Sequence, residues 1–289
     1  MKEAFLKTLV YADIFDYPLT AEELYRRKHG EEKTSRKVTE RALAKLVDEG
    51  IVDKQEGFYF LPGRQKIVTL RKKRGKYAVE KIKIARRVAN IIKVVPTVRL
   101  VGVTGSVAAG NADKGDDIDF FIISASGWLW TTRLLVTLIL DLIGKRRRPD
   151  DKETKDKICL NLFVDEANLN VFDHNLFTAY ELFQLKPLVD KNNIYQKFIA
   201  ANSWVKDFLP NVFPNRVYGG QGVELSSGTR IYLDGLMRKI QLWWMRKRQT
   251  TEITEPNLIA FHPNDISQRV LEEYKDRCAR RESNPRPTA

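Results

Sequence analysis

Two acidic residues, one residue apart, stand directly before an apolar run. Asp117 and Asp119 flank Ile118, and residues 120–123 read Phe-Phe-Ile-Ile. On a β-strand, residues i and i+2 point to the same face, so this spacing puts both carboxylates side by side. Two carboxylates that close repel each other unless a cation lies between them, and Mg²⁺, completed by substrate phosphates, is the usual candidate. The pair therefore predicts a metal site.

A Gly-Ser pair lies a short distance upstream, just after another mostly apolar run. Residues 98–103 read Val-Arg-Leu-Val-Gly-Val, and Gly105 and Ser106 follow after one residue. Glycine allows a backbone to approach a ligand closely, and a hydroxyl beside N–H groups suits a phosphate. Either motif alone is common on ordinary turns and loops. Together they predict a strand, a turn, a helix and an acidic strand that hold a metal–nucleotide complex.

This segment resembles the DNA polymerase β-type nucleotidyltransferase superfamily, in which a Gly-Ser or Gly-Gly turn precedes an acid-x-acid strand. The form Gly-Ser-x-Ala-x-Gly at residues 105–110 is most similar to the minimal and the aminoglycoside nucleotidyltransferases. The resemblance implies Mg²⁺ or Mn²⁺ held by the catalytic acids Asp117 and Asp119, with a nucleoside triphosphate as substrate. It also implies three nucleotide-binding residues, Gly105, Ser106 and Gly110. No basic residue stands inside the turn, where the superfamily often has one.

Enzymes of this superfamily carry a third acid on a neighbouring strand. The next predicted strand, residues 157–165, reads Lys-Ile-Cys-Leu-Asn-Leu-Phe-Val-Asp. Its mid-strand residue is Asn161, whose carbonyl oxygen is a weak metal ligand, and the acid Asp165 follows four residues later. Strand parity puts both on one face, so each is a candidate catalytic residue. A purely structural alternative also stays open, in which Asn161 is hydrogen-bonded and Asp165 caps the next turn.

The composition is that of a basic globular protein. The chain of 289 residues is long enough for two domains, and its hydrophobic content of 43% is sufficient for a packed core. Its 50 Lys and Arg against 37 Asp and Glu give a net charge of +13. This excess favours a polyanionic partner, with a solvated basic surface as the alternative. Two distant cysteines, Cys159 and Cys278, indicate no disulfide framework. Because the first residues lack a long apolar segment, we expect a cytoplasmic protein.

Residues 128–143 could be read as a membrane anchor. They are strongly apolar, and a positive flank follows at residues 145–148. The stretch is shorter than the roughly 20 residues of a membrane-spanning helix, and it contains the charged residues Arg133 and Asp141. We therefore predict a buried helix packed on the sheet, and no membrane partner.

Residues 1–62 predict a small separate unit. A first helix ends near residue 14, a capping box at residues 20–23 opens a second, and a third runs from Thr34 or Ser35 to Gly50. A two-stranded hairpin follows. Three helices and a wing resemble the winged-helix family, whose third helix can enter the DNA major groove. Nucleic-acid binding and a purely protein-binding role both remain open.

The rest of the chain divides into a linker, a core and a helical region. We predict a long basic helix at residues 63–94, the nucleotidyltransferase core at 95–172, helices at 173–280 and a disordered tail at 281–289. Lys186 could reach a phosphate. The predicted fold class is α+β, with an N-terminal winged helix, a central mixed sheet flanked by helices and a C-terminal helical region.

The favoured function is transfer of a nucleoside monophosphate from a nucleoside triphosphate to an acceptor hydroxyl. Metal ions at Asp117 and Asp119 neutralise the triphosphate, and pyrophosphate leaves. A nucleic acid or a protein could be the acceptor, and the oligomeric state is open. The alternative is a regulator that senses nucleotide with little or no catalysis and binds DNA or a protein through its winged helix.

Overall fold

The computed structural model describes residues 1–171, 173–212, 228–246, 253–255, 258–260 and 265–283. Its first elements form a small N-terminal unit: α1 (Lys2–Asp13), β1 (Leu19–Thr20), α2 (Ala21–Arg26), α3 (Arg36–Asp48), β2 (Asp53–Gln55) and β3 (Phe58–Phe60). The three strands pair antiparallel in the order β1-β3-β2. The predicted capping box opens α2 through Thr20 and Glu23, and Ser35 caps α3 by accepting a hydrogen bond from the backbone of Val38.

A long helix joins this unit to a central sheet. The following elements are α4 (Lys66–Ile92), β4 (Val98–Val103), α5 (Gly105–Ala109), β5 (Ile118–Ser124), α6 (Leu129–Leu142), β6 (Ile158–Asp165), α7 (Leu176–Gln184), β7 (Lys186–Asp190), α8 (Ile194–Ala201) and α9 (Val205–Phe208). The last are α10 (Gly228–Met245), β8 (Ile253–Thr254), β9 (Leu258–Ala260) and α11 (Asp265–Ser283). The mixture of helices and strands fits the predicted α+β class.

The central sheet has the strand order β7-β4-β5-β6-β9-β8. Strands β5 and β6 run parallel, and the other neighbours run antiparallel, so the sheet is mixed as predicted. Strand β5 lies in the middle and is almost entirely buried, which explains its near-continuous apolar sequence. Helices α4, α5 and α6 pack on one face, and helices α7, α8, α9 and α11 pack on the other.

The apolar stretch at residues 128–143 is helix α6, packed on the sheet and on α10. Its Arg133 is buried and donates a hydrogen bond to the Gln241 side chain of α10 at 2.5 Å, while Asp141 pairs with Arg146 and Arg148. Among the described residues, no helix is long and apolar enough to cross a membrane.

Strands occur where the sequence predicted only helices. Residues 186–190 form β7, the edge strand beside β4, and β8 and β9 extend the opposite side of the same sheet. In the sequence, Pro187 suggests a break between helices. An edge strand nevertheless tolerates proline, because the backbone groups on the outer side of that strand need no partner. The central sheet therefore continues past residue 172. Helix α11 includes residues 281–283 of the predicted tail, and residues 284–289 lie outside the described part.

The N-terminal unit contacts the rest of the protein through a buried histidine. The two ring nitrogens of His29 each lie 2.9 Å from a tyrosine hydroxyl, Tyr274 on α11 and Tyr180 on α7, and Tyr11 stacks on Tyr180. Burial, with Lys28 and Lys7 nearby, lowers the pKa of His29 to about 3, so the imidazole is neutral at physiological pH. The cluster joins three parts of the chain that are far apart in sequence.

Candidate functional site

The Gly-Ser turn lies at the end of β4, against the acidic strand. Gly105 has a φ of +64°, and a Cβ at this position would lie 2.6 Å from Oδ2 of Asp119. The Thr104 backbone N–H donates to the Asp119 carbonyl oxygen at 3.1 Å, which holds the turn to β5. Only glycine combines this left-handed conformation with so close an approach. The turn therefore lies directly against the Asp119 carboxylate.

Ser106 is held by the loop between α5 and β5. Its hydroxyl donates to Asp116 at 2.8 Å, and the Asp113 backbone N–H donates to the same carboxylate oxygen at 2.9 Å. Lys81, a buried lysine of α4, donates to the Asp116 carbonyl oxygen at 2.6 Å and pairs with Asp156. The loop that carries the acids is thus anchored from both its side chains and its backbone.

Asp117, Asp119 and Cys159 form a compact group of candidate metal ligands. One ligand atom from each lies within 4.8 Å of the other two. Cys159 stands directly opposite Asp119 in the parallel β5–β6 pair, which explains why its thiol joins the two acids. Oδ2 of Asp117 is buried and faces a cationic partner, the Arg147 guanidinium. An oxygen of this kind, beside two further donors, is suited to bind a cation.

The positively charged side chain of Arg147 lies beside this group. Nη1 of Arg147 lies 2.7 Å from Oδ2 of Asp117, an ion pair without hydrogen-bond geometry, and 3.7 Å from Sγ of Cys159. The Arg147 backbone N–H donates to the carbonyl oxygen of Ile158, so the residue is tied to the start of β6. The arginine therefore offsets part of the negative charge at the site.

The electrostatics of the metal-free site favour proton uptake. Burial, together with the charges of Asp117 and Glu181, raises the pKa of Asp119 to about 7. Burial and the same two aspartates raise the pKa of the Cys159 thiol to about 12. Without a cation, the site therefore keeps the thiol protonated and holds Asp119 close to the midpoint of its titration at neutral pH.

Glu181 of α7 brings a third carboxylate to the turn. Its Oε2 accepts a hydrogen bond from the Gly105 backbone N–H at 3.2 Å. Burial raises the pKa of Glu181, and this N–H opposes the rise. An acidic side chain therefore occupies the Gly105 N–H group, and it lies close enough to Asp119 to raise the pKa of that residue.

The structure does not bring Asp165 to this site. Asp165 pairs in register with Ser124, five residues beyond Asp119 on β5, which is about 16 Å along the strand. The odd spacing also puts it on the opposite face of the sheet. There it is buried and accepts hydrogen bonds at 2.8 Å from the backbones of Gly127 and Ala167, so it caps a turn.

Asn161 is the extra residue of a β-bulge. Phe120 pairs with Leu160 and Phe121 pairs with Leu162, which leaves Asn161 without a partner in β5. A bulge of this kind shifts the alternation of side chains along the strand. The parity argument that linked Asn161 with Asp165 therefore does not hold in β6. Cys159, two residues earlier, is the β6 residue that stands opposite Asp119.

Basic side chains surround the far end of α5. Nη1 of Arg71 donates to the Gly110 carbonyl oxygen at 2.6 Å, and the Tyr17 hydroxyl donates to the Ala109 carbonyl oxygen at 2.6 Å. Burial lowers the pKa of Lys186, and the charges of Arg27 and Arg71 lower it further. The basic residue missing from the turn is thus replaced by side chains from other elements.

A groove of about 420 Å³ opens from this end of α5 along α4. The floor of the groove is aliphatic. Gly75, in the interior of α4, has no side chain to fill the groove, and a Cβ at this position would meet no atom within 4 Å. Four of its lining side chains are cationic: Arg71, Lys83, Arg86 and Lys186. Among the residues that the structure describes, no acidic side chain lines the groove. We name this feature the α4 groove.

Sequence reasoning missed Arg147, Glu181 and the role of Cys159. Glu181 lies 76 residues from its partner Gly105, and no local pattern relates the two. Cys159 could have been found by aligning the two predicted strands in parallel from their first residues. Arg147 lies in the basic run at residues 145–148, which the sequence analysis interpreted only as a positive flank of the apolar helix.

A Gly-Ser turn thus faces paired carboxylates at one end of the mixed sheet, within the part of the chain that the sequence analysis compared with nucleotidyltransferases. In agreement, residues 81–169 match the family model of the nucleotidyltransferase domain. The matched range covers β4, α5, β5, α6 and β6, and supports membership of the nucleotidyltransferase superfamily and nucleoside monophosphate transfer in general. No curated protein and no solved structure gave a significant match to the chain.

Proposed function

We propose that the protein is a metal-dependent nucleotidyltransferase that moves a nucleoside monophosphate from a nucleoside triphosphate to an acceptor hydroxyl. The observation that carries the proposal is the convergence of Gly105, Asp117 and Asp119 within the range that matches the nucleotidyltransferase domain. The site fits a divalent cation because the carboxylate oxygens of Asp117 and Asp119, which are hard donors, converge with the Cys159 thiol in one compact group. A bound divalent cation would supply charge neutralisation of the triphosphate and polarise its α-phosphorus.

The residues of the turn bind and orient the nucleotide. The Gly105 N–H and the Ser106 hydroxyl exchange their present partners, Glu181 and Asp116, for phosphate oxygens. Gly110 gives the end of α5 its left-handed conformation at φ +75° and directs its carbonyl oxygen toward Arg71. Arg71 and Lys186 contribute positive charge at this end of α5.

Glu181 is proposed as the general base that accepts the acceptor's proton. Its carboxylate lies at the turn, and burial raises its pKa toward the working range, which suits a base. This position on α7 provides the third carboxylate that neither Asn161 nor Asp165 supplies at the Asp117/Asp119 pair.

Changing Glu181 to Gln is expected to lower kcat by about 10²- to 10⁴-fold while the KM for the nucleotide changes little, because general-base catalysis contributes on that scale. Glu80→Gln is the matched control, since Glu80 is exposed on α4 away from the turn. The measurement is steady-state release of pyrophosphate over pH 5 to 9. An unchanged kcat in Glu181→Gln, with the same pH profile as the control, would remove Glu181 from the mechanism.

The acceptor is proposed to be a nucleic-acid strand that lies in the α4 groove. From Arg71 to Arg86 this face of α4 is about 22 Å long, which suits an extended chain better than a compact molecule. Three of the cations that line the groove make no ion pair with a described residue, so their charges are available to phosphates: Lys83, Arg86 and Lys186. The net charge of +13 acts in the same direction.

Charge reversal in the groove tests this proposal. Lys83→Glu with Arg86→Glu is expected to weaken binding of a labelled single-stranded RNA by at least about tenfold and to reduce the salt slope, which is about −0.7 per phosphate contact. Lys73→Glu with Arg87→Glu makes the same charge change on another face of α4 and is expected to weaken binding far less. Fluorescence anisotropy in EDTA measures both. Equal weakening by the two pairs would show diffuse attraction rather than a groove.

A second candidate function is a nucleotide sensor that turns over slowly or not at all. Two observations favour it: Glu181 occupies the Gly105 N–H, and Arg147 lies on Asp117 where a cation would bind. In this reading the N-terminal unit is a winged helix that binds DNA or a protein partner. Thermal stabilisation by a nucleoside triphosphate with a divalent cation, without pyrophosphate release across RNA, DNA and protein acceptors, would favour sensing over catalysis.

A further inference from the structure

Cys159 stands at the point where a third hard oxygen ligand would be expected. Its Sγ lies within 4.8 Å of a carboxylate oxygen of both Asp117 and Asp119. In a tetrahedral site with a thiolate bond of about 2.3 Å and carboxylate bonds of about 2.1 Å, the ligand atoms lie roughly 3.5 Å from one another. A side-chain movement of at most about 1.3 Å therefore converts the observed group into a three-ligand site.

The charges around the group are compatible with a thiolate ligand. Two carboxylates and one thiolate carry three negative charges. A divalent cation carries two positive charges, and Arg147, close to both Asp117 and Cys159, carries the third. Nη1 of Arg147 lies 3.7 Å from Sγ, where its positive charge stabilises a thiolate relative to a thiol.

We propose that Cys159 is the third protein ligand of the cation at Asp117 and Asp119, and that the site consequently selects a cation that bonds to sulfur over Mg²⁺. The inference rests on the proposed function for the presence of a cation. Thiolate ligands favour Zn²⁺, Co²⁺ and Cd²⁺, whereas Mg²⁺ strongly prefers oxygen and keeps its waters. On binding, the S–H bond breaks, the sulfur lone pair bonds to the metal, and the proton leaves to the buffer.

The chain offers a matched control because it has a second thiol. Cys278 lies on α11, is about as accessible as Cys159, and does not belong to the ligand group. A serine at position 278 removes one sulfur without touching the Asp117/Asp119 pair, whereas a serine at position 159 removes the proposed ligand. Cys159→Asp supplies a hard oxygen ligand in the same place.

The test is titration of the intact protein with Co²⁺ or Cd²⁺, without nucleotide, followed by the ultraviolet absorption of a sulfur–metal bond. We expect this absorption in the wild type and in Cys278→Ser, and its loss in Cys159→Ser with affinity at least about tenfold weaker, since even outer partners of a metal cost 10- to 100-fold. Cys159→Asp is expected to shift preference toward Mg²⁺. Near-native thermal unfolding of Cys159→Ser confirms that it folds.

The outcomes separate this inference from the proposed function. No sulfur–metal absorption in the wild type, or the same absorption and affinity in Cys159→Ser, overturns the role of Cys159 and leaves nucleotidyl transfer with Mg²⁺ intact. A sulfur–metal bond in a protein that releases no pyrophosphate with any cation or acceptor supports the ligand and overturns the transfer reaction instead.

Discussion

Replacing Asp119 with Asn is expected to abolish nucleotidyl transfer while making the metal-free protein more stable at neutral pH. Activity should fall by at least about a thousandfold, because a cation supplies several kcal/mol of transition-state stabilisation and each 1.4 kcal/mol is about tenfold in rate. Stability should rise because Asn carries no charge to bury beside Asp117 and Glu181. Pyrophosphate release and thermal unfolding in EDTA measure the two effects.

The pH dependence gives this prediction its sign. Asp119 has a pKa of about 7 in the folded chain and an ordinary value of 3.8, so the folded state holds its proton more tightly than the unfolded state. The wild type therefore loses stability as pH rises from about 4 to 7, and the loss levels off above pH 7. Since one pKa unit corresponds to about 1.4 kcal/mol, the upper limit is about 4 kcal/mol.

The two proteins should thus be equally stable near pH 4, and Asp119→Asn more stable at pH 8 by up to that amount. A divalent cation should raise the melting temperature of the wild type and not that of the variant. A variant that is active, or one that loses stability with pH as steeply as the wild type, would contradict the role given to Asp119.

Replacing Gly105 with Ala is expected to remove activity through contact with Asp119 rather than through loss of the fold. The new Cβ would lie 2.6 Å from Oδ2 of Asp119, so the carboxylate or the turn must move. A displacement near 1 Å at a catalytic group costs about 100-fold in rate. The positive φ adds a backbone cost of about 1–2 kcal/mol in the free energy of unfolding.

Gly57→Ala isolates the backbone cost. Gly57 also has a positive φ, +81°, in the turn between β2 and β3, and a Cβ there would meet nothing within 4 Å. Gly105→Ala should lose at least as much stability as Gly57→Ala in urea unfolding, because its Cβ also displaces Asp119 or the turn, but only Gly105→Ala should lose transfer activity. Equal activity in the two variants would show that the turn does not depend on the close approach to Asp119.

The motif was predictable because it is local. Gly105, Ser106, Asp117 and Asp119 lie within 15 residues, and the period of a strand fixes which side chains share a face. The buried helix at residues 128–143 followed from length and charge in the same way. Such features need no knowledge of which strands become neighbours.

The partners of the motif were not predictable, because they depend on strand pairing and on bulges. Cys159 joins the acids through the register of two parallel strands, so finding it requires knowing that β5 and β6 are parallel neighbours. Asn161 breaks the alternation that the parity argument assumed, and Asp165 consequently lies on the other face. Strand β7 was missed because Pro187 reads as a helix breaker, although an edge position tolerates it.

The contacts of the N-terminal unit with α5 have a thermodynamic consequence. Tyr17 of that unit donates to the Ala109 carbonyl oxygen, and Arg71 stacks on the Tyr17 ring while it donates to Gly110. The end of α5, which follows the Gly-Ser turn, is thus part of the interface between the N-terminal unit and the central sheet. Whatever shifts Tyr17 also shifts the turn.

Linkage makes this coupling reciprocal. If a ligand of the N-terminal unit changes the affinity of the turn for nucleotide by some factor, nucleotide must change the affinity for that ligand by the same factor. A hydroxyl-to-carbonyl bond of this kind contributes about 1 kcal/mol, which corresponds to roughly fivefold in affinity if one ligand breaks it. Binding of nucleotide at the turn and binding of a partner at the N-terminal unit would then depend on each other through one coupling free energy.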